Sequence, residues 1–168
     1  MDITFKAEDG KFNLRVGALI HNKGKLLMAS NPSEGDNVLY SVGGRVKYGE
    51  TFEEAVRREV LEETGIDCAP KRMIAIHENY FVNFVGCPYH EISIYFLFED
   101  ERLNEIHSGH LTEDGPDGEK LLWVSPEDDS LTIFPFFYRN KDIFEDKGIR
   151  HYITREESWY RFYGKTPE

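Results

Sequence analysis

Hydrophobic positions along the chain change period several times, and the changes outline the elements. Ile3–Phe5 and Phe12–Ile20 are apolar, partly alternating runs parted by Glu8-Asp9-Gly10, which predicts a short strand, a turn and a longer strand. His21-Asn22-Lys23-Gly24 predicts the next turn, with Lys25–Ala29 returning as a strand. The stretch NPSEGDN at 31–37 holds every turn-forming residue type and reads as a loop, and Val38–Val42 as a short strand after it. The period then becomes helical. Phe52, Ala55, Val56 and Val60 fall on one face, Thr51-Phe52-Glu53-Glu54 has the form of a capping box, and Gly65 suits a left-handed stop. A helix over Phe52–Thr64 follows. Alternation returns in Arg72–Val82 and in Tyr89–Phe98, where Ile92, Ile94, Phe96 and Phe98 mark one face, with a turn at 83–88 between them.

Glu99–Lys120 is polar and aperiodic, a long loop of the kind that carries function. Leu121–Val124 predicts a short strand, Phe134–Asp146 a second helix with Pro135 near its first turn, and Ile149–Thr154 a last strand. The tail Arg155–Glu168 keeps Trp159, Tyr160, Phe162 and Tyr163, so it is expected to pack on the rest. These elements predict an α+β fold in one domain over residues 1–168, with a mixed β-sheet between helices.

Composition narrows the partners. With 168 residues and 40% hydrophobic content the chain can bury a sizeable core. A formal net charge of −11 offers no basic stripe for a nucleic-acid backbone, so no nucleic-acid partner is expected. It would also repel a polyanionic small molecule, unless bound metal inverts the local field. Two cysteines, Cys68 and Cys87, sit in no recognisable motif and read as free thiols of an intracellular protein. The first residues lack a basic and then apolar leader, and no apolar run is long enough to span a membrane, so the expected compartment is the cytoplasm. A homodimer stays open.

The chemistry concentrates on the first helix. Glu59 and Glu63 project into the apolar sector and Glu62 lies at its edge. Isolated carboxylates facing a core are disfavoured, and three within little more than a turn raise one another's pKa. A hard divalent cation removes both objections. The plain alternative is a solvated acidic helix with pairs such as Arg58–Glu62.

Together with the preceding loop the stretch reads GRVKYGETFEEAVRREVLEETGI, from Gly44 to Ile66. Gly44, Glu50, Arg58, Glu59, Val60, Glu62, Glu63, Gly65 and Ile66 fill each fixed position of a pattern that resembles the Nudix box of the Nudix hydrolases. One departure is visible: relatives often carry Pro before the paired glycines, where this chain has Ser41-Val42-Gly43-Gly44. The resemblance implies the Nudix α/β/α sandwich and a hydrolase that cleaves the pyrophosphate of a nucleoside diphosphate linked to another moiety, using Mg²⁺ or Mn²⁺. It implies that Glu59, Glu62, Glu63 and the Gly43 carbonyl hold metal, and that Glu50 and Arg58 form a salt bridge tying loop to helix. The base that activates water is then a box glutamate or a glutamate of the long loop, Glu113 or Glu119.

Arg45 and Arg15 are candidates for substrate phosphates, Tyr80 and Phe81 for stacking on a base. His77-Glu78 and His90-Glu91 are two further polar pairs on the adjoining strands, with His90-Glu91 either facing the cleft or exposed. Positions at which some relatives carry a substrate-marking Pro or Tyr are here Val82 and Asn83. Two other functions share the fold. One is a non-catalytic nucleotide-metabolite-binding module, which would have lost box carboxylates; the other is an isoprenoid diphosphate isomerase, which would need a cysteine near the metal.

Overall fold

The computed structural model describes residues 1–31, 33–35, 37–112 and 118–166. The strands are β1 (Thr4–Lys6), β2 (Lys11–Asn22), β3 (Lys25–Ser30), β4 (Val38–Arg45), β5 (Arg72–Val82), β6 (Pro88–Phe98), β7 (His110–Leu111), β8 (Lys120–Val124), β9 (Thr132–Phe134) and β10 (Arg150–Arg155). The helices are α1 (Phe52–Thr64) and α2 (Glu157–Phe162). Among the described residues the strands follow the order β10-β5-β6-β2-β4-β3-β8-β7, with β1 on β2 and β9 on β4. Parallel pairs (β10–β5, β2–β6, β4–β9) occur among antiparallel ones, so the sheet is mixed, and the α+β class expected from the sequence is present.

Strand alternation splits the core in two. Even positions of β5 and β6, such as Ile76, Ile92, Ile94 and Phe96, pack with Val16 and Ala18 against Ala55, Val56 and Val60 of α1. Odd positions face the other way, where Tyr95 and Leu97 meet Phe137, Tyr138 and Ile143. Fully burying a side chain such as Val56 or Ile143 contributes about 1.5–3 kcal/mol, so each layer is held by many such terms.

The segment expected as a second helix departs from that expectation. Residues 134–146 close the far layer as two 3₁₀ turns, Phe136–Arg139 and Lys141–Phe144, after the strand β9. Pro135 (ψ 148°) and Asn140 (ψ 113°) are both extended, which interrupts any continuous α-helical path. Consecutive aromatics at Phe136, Phe137 and Tyr138 add little helix propensity. Arg139 holds the irregular approach instead, donating to the carbonyls of Pro126, Asp128 and Leu131. The tail packs as expected: Trp159 meets Tyr80 edge-on at 5.2 Å and the Ser158 hydroxyl accepts from Val82 N. The long loop carries a 3₁₀ turn at Glu101–Glu105, anchored by buried Leu103, and the strand β7.

Candidate active site

Local rules fix α1. Thr51 N donates to the Glu54 carboxylate at 2.8 Å while Glu54 N donates to the Thr51 hydroxyl at 3.2 Å, and Gly65 ends the helix at φ 75°. With Ala55, Val56 and Val60 wholly buried, Glu59 and Glu63 are carried toward β4 on the same helix. One Glu63 oxygen accepts from Gly43 N at 2.8 Å; the other is buried and has no hydrogen-bond partner among the described residues. Burial pushes the Glu63 carboxyl up to about 8, and the nearby charges of Glu119 and Glu59 push the same way. Burial also raises Glu59, against the pull of Arg58, whereas Glu62 at the edge keeps 45% of its side chain exposed.

Arg58 ties these parts together. Its fork grips Glu50 through two bonds of 2.7 and 2.9 Å, and it also donates to the Arg45 carbonyl, to Glu59 at 2.6 Å and to Glu62 at 3.2 Å. Glu50 accepts Lys47 N as well, and this pairing, chiefly the Arg58 bonds, holds its carboxyl down at about 2. The loop 45–50 is thereby fastened to the helix. Gly44 leaves room for it: a Cβ there would lie 2.5 Å from the Glu59 carboxylate.

Two depressions flank this cluster. A groove of about 350 Å³ is lined by Arg45, Lys47, Gly44, Arg58, Glu59 and Glu62, with Arg45 also 3.5 Å from Asp2 and Lys47 3.8 Å from Glu62. A pocket of about 300 Å³ opens on the sheet face away from α1, and Arg15 lines both. Arg15 lies 3.8 Å from Glu91 and within electrostatic reach of Glu59 and Glu63.

The other expected residues divide by strand parity. Phe81 lines the pocket; Tyr80 does not, because its ring points to the opposite face, stacked on His90 at 4.5 Å with the Arg155 guanidinium 5.1 Å from its centre. Of His90-Glu91, only Glu91 faces the pocket, and of His77-Glu78 only His77. Glu119 lines the pocket and adjoins Glu63, while Glu113 lies outside the described residues. Asn79, Ser93, Tyr95, Tyr40 and Glu156 also line the pocket and were not singled out from the sequence. Polar odd positions on otherwise apolar strands were the available signal for Asn79 and Ser93.

The donor set fits a hard cation. Carboxylate and carbonyl oxygens are the ligands such an ion takes, and the unpartnered Glu63 oxygen is a buried acceptor that the protein itself leaves unsatisfied. Among the described residues no three acidic, His or Cys side chains converge into a closed cage. Glu59 and Glu62 both pair with Arg58, and Glu62 also lies 3.8 Å from Lys47.

Comparison with known proteins points to one family. The NUDIX domain family matches residues 11–146. A putative 8-oxo-dGTP diphosphatase of Bacillus subtilis is 34% identical over 119 residues, covering 69% of each chain. A CTP pyrophosphohydrolase of Escherichia coli is 28% identical over 120 residues, covering 67% of this chain and 76% of that one. The MutT protein of Bacillus halodurans superposes with TM-score 0.60 at 18% identity, over 87% of this chain and 92% of its own, a likeness of fold.

Proposed function

The chain belongs to the Nudix family and is a hydrolase of phosphorus-containing anhydrides, and from that premise we propose that it cleaves the pyrophosphate linkage of a nucleoside di- or triphosphate or a related derivative. The observation that carries this reading is the row of box carboxylates ending in the buried, unpartnered Glu63 oxygen beside Gly43. Glu59, Glu62 and Glu63, with the Gly43 carbonyl, are the residues that would hold Mg²⁺ or Mn²⁺. A bound divalent cation supplies charge neutralisation at the phosphoryl oxygens and acidifies a water molecule.

The rest of the work falls to the chain. In this reading phosphate oxygens are received by Arg45 and Lys47, which line the groove, and by Arg15, which lines both groove and pocket. Arg58 and Glu50 position the loop and touch no substrate in this reading. Water attacks phosphorus, the anhydride P–O bond breaks, and the water's proton passes to a carboxylate. Glu119 is the loop glutamate placed beside Glu63, and a box glutamate is the other candidate for that proton. The names of the relatives, a CTP pyrophosphohydrolase and a putative 8-oxo-dGTP diphosphatase, support a small nucleotide substrate. The isomerase alternative has no support here, since neither Cys68 nor Cys87 is among the residues lining groove or pocket.

The test is a panel of nucleoside triphosphates, dinucleotides and nucleotide sugars, assayed with Mg²⁺, with Mn²⁺ and after exhaustive EDTA. Turnover should require the metal. Glu62→Gln should lower kcat by about 10²–10³ with the metal-free unfolding midpoint unchanged, because half of that side chain already faces solvent. Activity that survives EDTA, or near-parental kcat in Glu62→Gln, defeats the assignment.

A further inference from the structure

The pocket beside the groove suits something other than phosphate. Four carboxylates, Glu34, Glu91, Glu119 and Glu156, line it against one guanidinium, Arg15. Ionised carboxylates only accept hydrogen bonds, so this lining repels anions and calls for N–H donors. The phosphates of a nucleotide therefore belong on the groove side, leaving the pocket to the other end of the molecule.

Part of its lining is aromatic. Tyr40 and Phe134 stack on each other at 5.5 Å with an interplanar angle of 19°, and with Phe81 and Tyr95 they offer ring surface against which a planar base can lie. A volume of about 300 Å³ stands at the small end for ligand pockets. Asn79 is among the lining residues, and its side-chain oxygen is buried and has no hydrogen-bond partner among the described residues. Folded proteins rarely leave such an acceptor unmet unless a ligand or water meets it. Glu156 follows directly on β10, the strand that pairs with β5 and sets Thr154 opposite Asn79. Its carboxylate accepts from the Ser158 hydroxyl at 3.3 Å.

We propose that this pocket selects a base bearing an exocyclic amino group, read by the Asn79 oxygen and the Glu156 carboxylate. An amino group presents donors to these acceptors, whereas the carbonyl of uracil sets lone pair against lone pair and the C–H of hypoxanthine leaves the acceptors unmet. The inference rests on the nucleotide reading above for its link to catalysis, but the selection itself is a binding property.

Two measurements separate the questions. The first is kcat/KM for CTP against UTP and for GTP against ITP, pairs that differ at the amino position, in the parent, Asn79→Leu and Glu156→Gln. The parent should favour the amino-bearing member by at least about tenfold in the pair whose ring fits. Both variants should narrow that ratio by slowing the amino-bearing member alone. Asn79→Leu lies within the sheet, so Glu156→Gln, isosteric and beyond the strand end, guards against a folding defect. The second is an NMR titration of the metal-free protein with cytidine, uridine, guanosine and inosine, which needs no turnover. Tighter binding of cytidine than uridine, or of guanosine than inosine, supports the pocket assignment even if no nucleotide is hydrolysed, a result that would defeat only the proposed reaction. Equal kcat/KM within both pairs, variants that slow both members alike, or nucleosides that bind without preference or not at all would overturn it.

Discussion

Two neighbouring glycines show how finely single residues divide fold from chemistry. Gly43 has φ +149°, and a Cβ there would strike the backbone oxygen of Val16 on the adjacent strand. Neither backbone can give way cheaply. Gly43→Ala should therefore destabilise the protein by about 1–3 kcal/mol, read as a lowered unfolding midpoint. At Gly44 the obstacle is the end of a flexible side chain, the Glu59 carboxylate. Gly44→Ala should leave the midpoint close to the parent's and displace that carboxylate, with a loss of kcat of about 10². Parental turnover in Gly44→Ala would mean that Glu59 is not needed where the structure puts it. Both glycines stand out in the sequence at the start of the box, but the neighbours that divide them, Val16 on β2 and Glu59 on α1, are set by the fold.

Elements hold the site through one cross-link. Arg58 on α1 and Glu50 on the loop are both about one-fifth exposed, and the guanidinium serves three carboxylates and a carbonyl. Arg58→Ala should cost about 2 kcal/mol and weaken metal affinity, and Arg58→Lys should recover little because an ammonium cannot fork. The linkage has a definite sign. Glu50 ionises at about 2 in the fold against 4.5 ordinarily, so its contribution is complete above pH 4.5 and is lost as pH falls toward 2. Denaturant titrations over that range should show a shallower acid slope in Arg58→Ala than in the parent; equal slopes would remove the pair from the stability argument. This helix was legible because every signal for it is local: its cap, its stop and its apolar stripe. The long strands were legible by alternation, and β5 begins and ends where the pattern did. Residues 134–146 depart from their helical spacing because the backbone is extended at Pro135 and Asn140. The pocket was largely hidden, since Glu34, Asn79, Glu91 and Glu156 meet only through strand pairings that no short window contains.

At the scale of the whole molecule, one buried histidine sets a lower limit on pH. His77 is 5% exposed, its Nε2 lies 2.9 Å from the Thr154 hydroxyl, and burial holds its pKa at about 4. The unfolded chain takes up that proton near pH 6.5, so stability is lost as pH falls from about 6.5 to 4. The shift corresponds to about 3 kcal/mol. Protonation also relieves repulsion within a chain of net charge −11, which acts in the opposite sense. The difference between parent and His77→Gln isolates the histidine: the variant should keep more of its neutral-pH stability at pH 4.5, and parallel curves would refute the assignment. The groove and the pocket also differ in how they are spread along the chain. Most of the groove comes from one run of sequence between Gly44 and Glu62, while the pocket is collected from stretches scattered from Arg15 to Glu156. In the proposed reading a lineage can drift at residues 77–81, 91–95, 134–135 and 156 and so change the molecule it accepts, while the contiguous box run is inherited intact.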